Sequence, residues 1–290
     1  MTTVGLPIAL GIVMFGLGLT LTVSDFTRVG RHPKAVMVAL VCQLLLLPAV
    51  CFLLVLAFNL PPVLAVGMML LAASPGGTTA NLYSHLFRGD VALNISLTAI
   101  NSIISVLTLP LVANLSLSYF LSSDDQIGIQ FGKALEVFGI VLVPVLLGML
   151  VRAKRPTRAQ AAEKLVRVAS LVILLMVVGG AIASNWDVLT ENFTRLSLIT
   201  IVFCLISLSV GYLAPTVFRV GRPQAIACSF EIGIHNATLA VVIAQSVLNS
   251  VEMSLPAGIY GIMSFFLAAG FGLLIRGRAK SDARTPEAAR

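Results

Sequence analysis

Charge is what this chain has least of. Asp, Glu, Lys and Arg make up 11% of its 290 residues, against 58% hydrophobic ones, and the mean hydropathy is +1.01. A soluble domain carries about a quarter of its residues as charges, so a water-soluble globule of this length is excluded. Cysteine is scarce too. Cys42, Cys51, Cys204 and Cys228 all fall in apolar stretches with no CxxC spacing, which argues against a disulfide framework or a thiolate metal site and for small buried hydrophobes. Catalytic signatures are missing: there is no HExxH, no GxSxG and no Walker sequence, and His32, His85 and His235 are scattered. A membrane enzyme or a non-transporting sensor is the alternative class, and these absences weigh against it. No charged joint is long enough to hold a soluble domain, and Lys280 to Arg290 reads as a polar tail.

What the chain has instead is long apolar runs. Several windows of about 20 residues carry no charge, the length of helix needed to cross a bilayer core. The pattern predicts an all-α, polytopic membrane protein with nine spans, at 4–24, 34–58, 62–87, 90–121, 127–151, 164–184, 195–217, 222–250 and 255–276. Short alternating strands of a β-barrel would look different. Met1 to Thr20 lacks the basic start of a signal peptide and is read as the first span.

Lysine and arginine set the orientation. Of the 19, 17 lie in alternate joints or the C-terminal tail; Lys133 and Arg195 are the exceptions. Positive loops stay in the cytoplasm, so the N-terminus is expected outside and the C-terminus inside, in a cell inner membrane. The net charge of +7 is thereby explained by topology and by anionic lipid head groups, and implies no nucleic-acid partner.

Two apolar spans are interrupted. Ser229-Phe230-Glu231-Ile232-Gly233-Ile234-His235-Asn236 places a carboxylate deep in a hydrophobic stretch, and Ser74-Pro75-Gly76-Gly77-Thr78-Thr79-Ala80-Asn81 combines helix breakers with hydroxyl and amide side chains. An ionisable group at membrane depth points to function. A broken hydrophobic segment in each half of the chain points to a transporter's central binding site. Gln43, Thr78, Asn81, Asn94, Thr98, Glu231 and His235 are mostly oxygen donors around one negative charge, which suits a dehydrated monovalent cation. Breaking a helix frees carbonyls at one new end and amides at the other. The carbonyls of the Glu231–His235 break suit cations. The amides after Gly77, with Thr78, Thr79 and Asn236, suit an anionic substrate group. No cofactor is implied beyond a coupling cation. The expected partners are a small organic anion, monovalent cations and membrane lipid.

These residues carry a resemblance. Phe15-Gly16-Leu17-Gly18-Leu19-Thr20 with Asp25-Phe26, Gln43 with Leu47-Pro48, Pro75-Gly76-Gly77-Thr78 with Asn81, Gly89-Asp90-Val91-Ala92-Leu93, and Glu231-Ile232-Gly233 with Asn236 follow in order over about Leu10 to Leu274. By this set the chain resembles the bile acid:sodium symporter family, as a bacterial-type member. The resemblance implies inverted repeats whose broken helices cross, with a panel domain (4–24 and 127–184), a core domain (34–122 and 195–276) and a cytoplasmic tail (277–290). Nine spans in place of ten implies that the first span here corresponds to the family's second helix.

Carried over by motif, one sodium site would use Asn81, Asn94, Thr98 and Glu231, and a second would use Gln43, Glu231, Ile232, Ile234 and His235. Two departures affect the first site: Ala80 stands where a serine hydroxyl is common, and Asn94 replaces a serine. In the second, His235 replaces a frequent glutamine, and a neutral imidazole is a poor sodium ligand. The implied function is sodium-coupled symport of an organic anion, a carboxylate or bile-acid-like molecule, by alternating access. The alternative is proton-coupled transport through Glu231 and His235.

The orientation gives a direct test. A reporter fused after Arg278 is expected in the cytoplasm and one fused before Val4 on the outer side. Finding both on one side would contradict the nine-span reading.

Overall fold

The computed structural model describes residues 2–22, 24, 29–77, 79–121 and 131–282. Thr78 and the Asp25-Phe26 pair lie outside the described residues. Among these the fold is all helical, and the one extended contact is a single bridge between Gly76 and His235.

The helices fall in the apolar blocks read from the sequence. They are α1 (Thr2–Thr20), α2 (Pro33–Val41), α3 (Leu47–Ala57), α4 (Pro62–Ala73), α5 (Thr79–Leu86), α6 (Val91–Phe120), α7 (Phe131–Lys154), α8 (Pro156–Ser184), α9 (Trp186–Val217), α10 (Arg222–Gly233), α11 (Ala237–Ser246) and α12 (Leu255–Asp282). Three described segments are each long and apolar enough to cross a membrane unaided: Pro33–Ala57, Trp186–Val217 and Glu252–Arg276. A fourth, Val91–Ser105 with Leu107–Phe120, is bent by 53°. The pairs α4/α5 and α10/α11 are the interrupted blocks. At about 1.5 Å per residue, α4 and α10, each of 12 residues, reach only about halfway through a bilayer before they stop.

Each irregularity has a local cause. Pro48 has no N–H, so the regular bond back to Leu44 cannot form. A π-turn over Cys42–Leu46 joins α2 to α3 in response, with the Leu47 N–H bonded to the Cys42 carbonyl. Gln43 sits in this turn, buried. The bend in α6 falls at Val106, four residues before Pro110, where a proline ring strikes the carbonyl of the preceding turn.

Helices α1, α7 and α8 pack on one another, with α1 also touching α11 and α6 touching α7. Glycine makes the α1–α7 contact close: a Cβ at Gly18 would strike the Val145 backbone, and one at Gly148 would strike Phe15 and Gly18. In lipid, where no hydrophobic force pulls helices together, such backbone approach supplies the attraction. The rest packs around α10, which contacts α9, α6, α5 and α2. Tyr260, Phe203 and Phe230 are fully buried there, and Phe230 packs against both Tyr83 and Phe87, its ring centroid 5.6 Å from each. The outer surface is apolar, with Leu107, Leu175, Leu213, Phe266 and Leu274 exposed, as a surface bathed in lipid tails requires.

The joint before α6 is tied to the first turn of α10. The Asp90 N–H donates to the Pro223 carbonyl (2.9 Å), and its carboxylate accepts from Leu93 N–H at 3.0 Å, capping α6, and from Gln224 Nε2 at 3.2 Å. His32 Nε2 stands 3.6 Å from the same carboxylate.

Overpacking the α1–α7 contact should be felt. Gly148→Val is expected to destabilise the protein by about 1–3 kcal/mol, read as a lower melting temperature in detergent. Gly179→Ala, where an added Cβ meets nothing within 4 Å, should leave it unchanged.

Candidate functional site

Where α4 and α10 end, their frayed backbones meet. The Gly77 N–H donates to the Ile234 carbonyl, and the Asn236 N–H donates to the Pro75 carbonyl, both at 2.8 Å. These reciprocal bonds flank the Gly76–His235 bridge as in a minimal antiparallel ladder. Two helix breaks that would each leave unpaired peptide groups in hydrocarbon thus satisfy each other. The pairing also releases an oxygen. In a continuing helix the Asn236 N–H would bond the Ile232 carbonyl; because Pro75 takes it, that carbonyl loses its helical donor.

Glu231 stands at this crossing, wholly buried. Its Oε2 accepts from Thr98 Oγ1 at 2.5 Å and its Oε1 from Asn101 Nδ2 at 3.3 Å, and the Gly76 N–H is a third donor. A Cβ at Gly76 would overlap the Glu231 carboxyl group and its backbone carbonyl, so only glycine lets the two breaks approach this closely. All three donors are neutral, and no Lys, Arg or His forms an ion pair with Glu231 among the described residues. A buried carboxylate needs a compensating positive charge or a proton.

Around the crossing lie polar atoms with nothing to bond. Gln43 Oε1, Asn81 Oδ1, Asn94 Oδ1, Asn101 Oδ1 and His235 Nε2 are buried without a hydrogen-bond partner. Four are amide oxygens and all five are electron-pair donors. Their amide nitrogens are accounted for in three cases: Gln43 Nε2 donates to the Ser74 carbonyl at 2.9 Å, Asn94 Nδ2 to Ser84 Oγ at 2.7 Å and the Ala227 carbonyl at 2.9 Å, and Asn101 Nδ2 to Glu231. Native proteins rarely leave buried acceptors unpaired. A set of unpaired oxygens near one carboxylate fits a hard cation. Among the described residues no group of three His, Cys, Asp or Glu side chains assembles, and what the crossing offers is one carboxylate with neutral oxygens.

Asn94 and Thr98 are spaced four apart on α6, as Ala227 and Glu231 are on α10, and the two helices pair one turn at a time. Of the residues expected to hold sodium, Thr98 bonds Glu231 directly, Asn94 bonds the Ala227 carbonyl one turn away and Gln43 bonds the Ser74 carbonyl at the end of α4; Asn81 lies on α5 with its Oδ1 unpaired, and Ile232, Ile234 and His235 follow Glu231 into the break. His235 Nδ1 lies 3.0 Å from the Tyr260 hydroxyl, which donates to the Gly233 carbonyl at 2.7 Å. The Tyr260 proton being used on Gly233, Nδ1 carries the imidazole hydrogen and Nε2 the bare lone pair.

On the substrate side the arrangement differs from the expectation in one respect. The Gly77 amide is taken by Ile234, so it is not a free anion donor. Asn236 caps α11, its Oδ1 accepting from Leu239 N–H at 3.0 Å, which leaves its Nδ2 as the donor. Thr79 opens α5 with its Oγ1 close to Gly77. Thr78 lies outside the described residues. Sequence reading missed Asn101 and Tyr260. Asn101 follows Thr98 by three residues on one helix face, a signal that was there to find; Tyr260 had none, because its partners are 25 and 27 residues away.

The sequence of this chain matches known proteins over most of its length. The chain belongs to the Sodium Bile acid symporter family. The family's model matches residues 7–192. The chain is 26% identical to the Uncharacterized sodium-dependent transporter YocS of Bacillus subtilis (89% of this chain, 78% of the relative). It is 27% identical to the human Ileal sodium/bile acid cotransporter (92% and 77%). It is 25% identical to the Probable sodium/metabolite cotransporter BASS2, chloroplastic, of Oryza sativa, over 87% of this chain but 59% of that protein. This is a family of membrane transporters and not of enzymes.

The close fit at Gly76 makes a prediction. Gly76→Ala is expected to push the Glu231 carboxyl out of place and abolish any stabilisation by sodium chloride over choline chloride, measured as melting temperature. Gly30→Ala, with open space around it, should retain the native response.

Proposed function

We propose that this protein is a secondary symporter that couples sodium to an organic anion by alternating access. The single observation that carries this is Glu231: a wholly buried carboxylate held by neutral donors and surrounded by unpaired amide oxygens. Bound sodium would supply the missing charge and satisfy those oxygens. Asn81, Asn94, Thr98 and Glu231 would hold one ion. At the second position, Gln43, Glu231 and the Ile232 and Ile234 carbonyls would act beside His235. The names of the bacterial and ileal relatives, which include sodium dependence, support the same reading.

The anion would lie at the start of α5. The positive dipole end of that helix would face the anion, with Thr78, Thr79 and the Asn236 amide as side-chain donors, whereas the start of α11 is closed by its own cap. The membrane arrangement is nine crossings with the N-terminus outside and the C-terminus cytoplasmic. Helices α1, α7 and α8 form the panel, and the remainder forms the core that rocks against it. Repeats inverted about the crossing, and an inner-membrane location, complete the proposal.

The test is uptake into sealed proteoliposomes, with sodium and proton gradients imposed separately and a panel of anions running from a bile acid to short monocarboxylates. An inward sodium gradient is expected to drive accumulation of at least one of them. Glu231→Gln, which keeps the volume but removes the charge, should abolish both that uptake and the sodium-dependent rise in melting temperature. Uptake driven by protons without sodium and lost in Glu231→Gln would replace sodium coupling with proton coupling through Glu231 and His235.

A further inference from the structure

Asn101 stands out among the buried groups that neither the motifs nor the matched ligand set includes. It is 1% exposed on α6. Its Nδ2 faces Glu231 Oε1 at 3.3 Å, while its Oδ1 has no partner. A purely structural amide in a core bridges two elements and uses both ends, as its oxygen is expensive to leave bare. Here one end is spent on the carboxylate and the other is left open beside it.

We infer that Asn101 is an oxygen ligand of the cation held at Glu231, and so a determinant of its affinity. The inference rests on the sodium-site reading above and adds a residue to it. The separation is what shared coordination requires. A hard cation of this size class keeps its oxygens at about 2.3–2.6 Å, so two oxygens at right angles around it lie about 3.3–3.7 Å apart. The Asn101 amide end is already 3.3 Å from Glu231 Oε1. Oxygen and nitrogen of a side-chain amide occupy equivalent positions after a half-turn about the terminal bond. With that half-turn Oδ1 takes the place of Nδ2 and meets the ion together with the carboxylate. One side chain thus serves the site in two states: without an ion its nitrogen bonds the carboxylate, and with an ion bound its oxygen bonds the cation held by that carboxylate. It also restores an oxygen to a site left one hydroxyl short at Ala80.

Sodium itself is the probe, so no substrate need be known. The full chain, purified in detergent, is titrated with sodium chloride against choline chloride at constant ionic strength, following melting temperature and binding of radioactive sodium. Asn101→Leu, of similar size but without the oxygen, is expected to raise the sodium midpoint by about tenfold or more, the loss of one charge-assisted contact. Asn101→Asp keeps oxygens in place and loses the amide donor; it should show a larger sodium-dependent rise in melting temperature than the native chain. If Asn101→Leu does not fold, Asn101→Asp decides. A merely structural Asn101 would lower the melting temperature in both salts and leave the sodium midpoint where it was, and that result overturns the inference. Glu231→Gln is run alongside. If it keeps the native sodium response, the sodium-site reading itself falls; if it loses the response while both Asn101 variants titrate as native, only the role of Asn101 falls.

Discussion

The structure depends on how two interrupted helices dispose of their peptide groups inside a membrane. An exposed N–H or carbonyl in hydrocarbon is costly enough that spanning segments are normally unbroken. Here α4 and α10 both stop short, and the reciprocal bonds Gly77 to Ile234 and Asn236 to Pro75 let each break complete the other. Everything functional follows from this contact. It fixes where the two helix ends face, frees the Ile232 carbonyl, and brings the Gly76 N–H against Glu231. A side chain at Gly76 would close that space, which is why the residue at the centre of the bridge is the smallest one.

Glu231 belongs to one break and is held partly by the other. Its donors come from α6 (Thr98, Asn101) and from the α4/α5 break (Gly76), so an ion bound to its oxygens touches elements from both halves of the chain. The same two halves are stitched one turn further along by Asn94 and Ala227, and again at the helix starts by Asp90 with Pro223 and Gln224. This run of bonds from joint to crossing makes α6 and α10 a single stiff unit. The α1, α7 and α8 group meets this unit where α7 touches α6.

Much of this was legible in the sequence because hydrocarbon is an unforgiving solvent. Long uncharged runs gave the helices, and the runs broken by Pro75-Gly76-Gly77 and around Glu231 gave the two interruptions, since neither a glycine pair nor a carboxylate is tolerated there without a reason. What could not be read is how freed groups find partners. The sequence shows that the peptide groups around Gly76-Gly77 leave the helix, but not that the Ile234 carbonyl takes the Gly77 N–H. It shows Pro48, but the adjustment it forces could have been a kink; that a π-turn forms and that Gln43 within it bonds the Ser74 carbonyl could not be read. The Tyr260 hydroxyl that fixes the His235 tautomer is brought in by α12, and no local pattern announces such a contact. Asn101 was readable by helical spacing, yet serine and asparagine on α6 also serve as ordinary helix bridges, and only the unpaired oxygen separates the two.

On the proposed reading, coupling between ion and substrate needs no elaborate relay. Bound sodium would neutralise Glu231 and leave unit charge compensation at a site walled off from water, and an anion at the start of α5 would lie nearby. Two opposite unit charges about 8 Å apart attract by about 2 kcal/mol at an effective dielectric constant of 20, which is a roughly 30-fold change in affinity. By reciprocity the anion favours sodium by the same factor. Without the cation, Glu231 would repel the anion instead, so the same carboxylate that draws the ion in disfavours the substrate travelling alone. The helix dipole adds to the attraction but is present in either case; only the charge at Glu231 changes with ion binding, and that difference is what makes the site a coupling device and not merely an anion pocket.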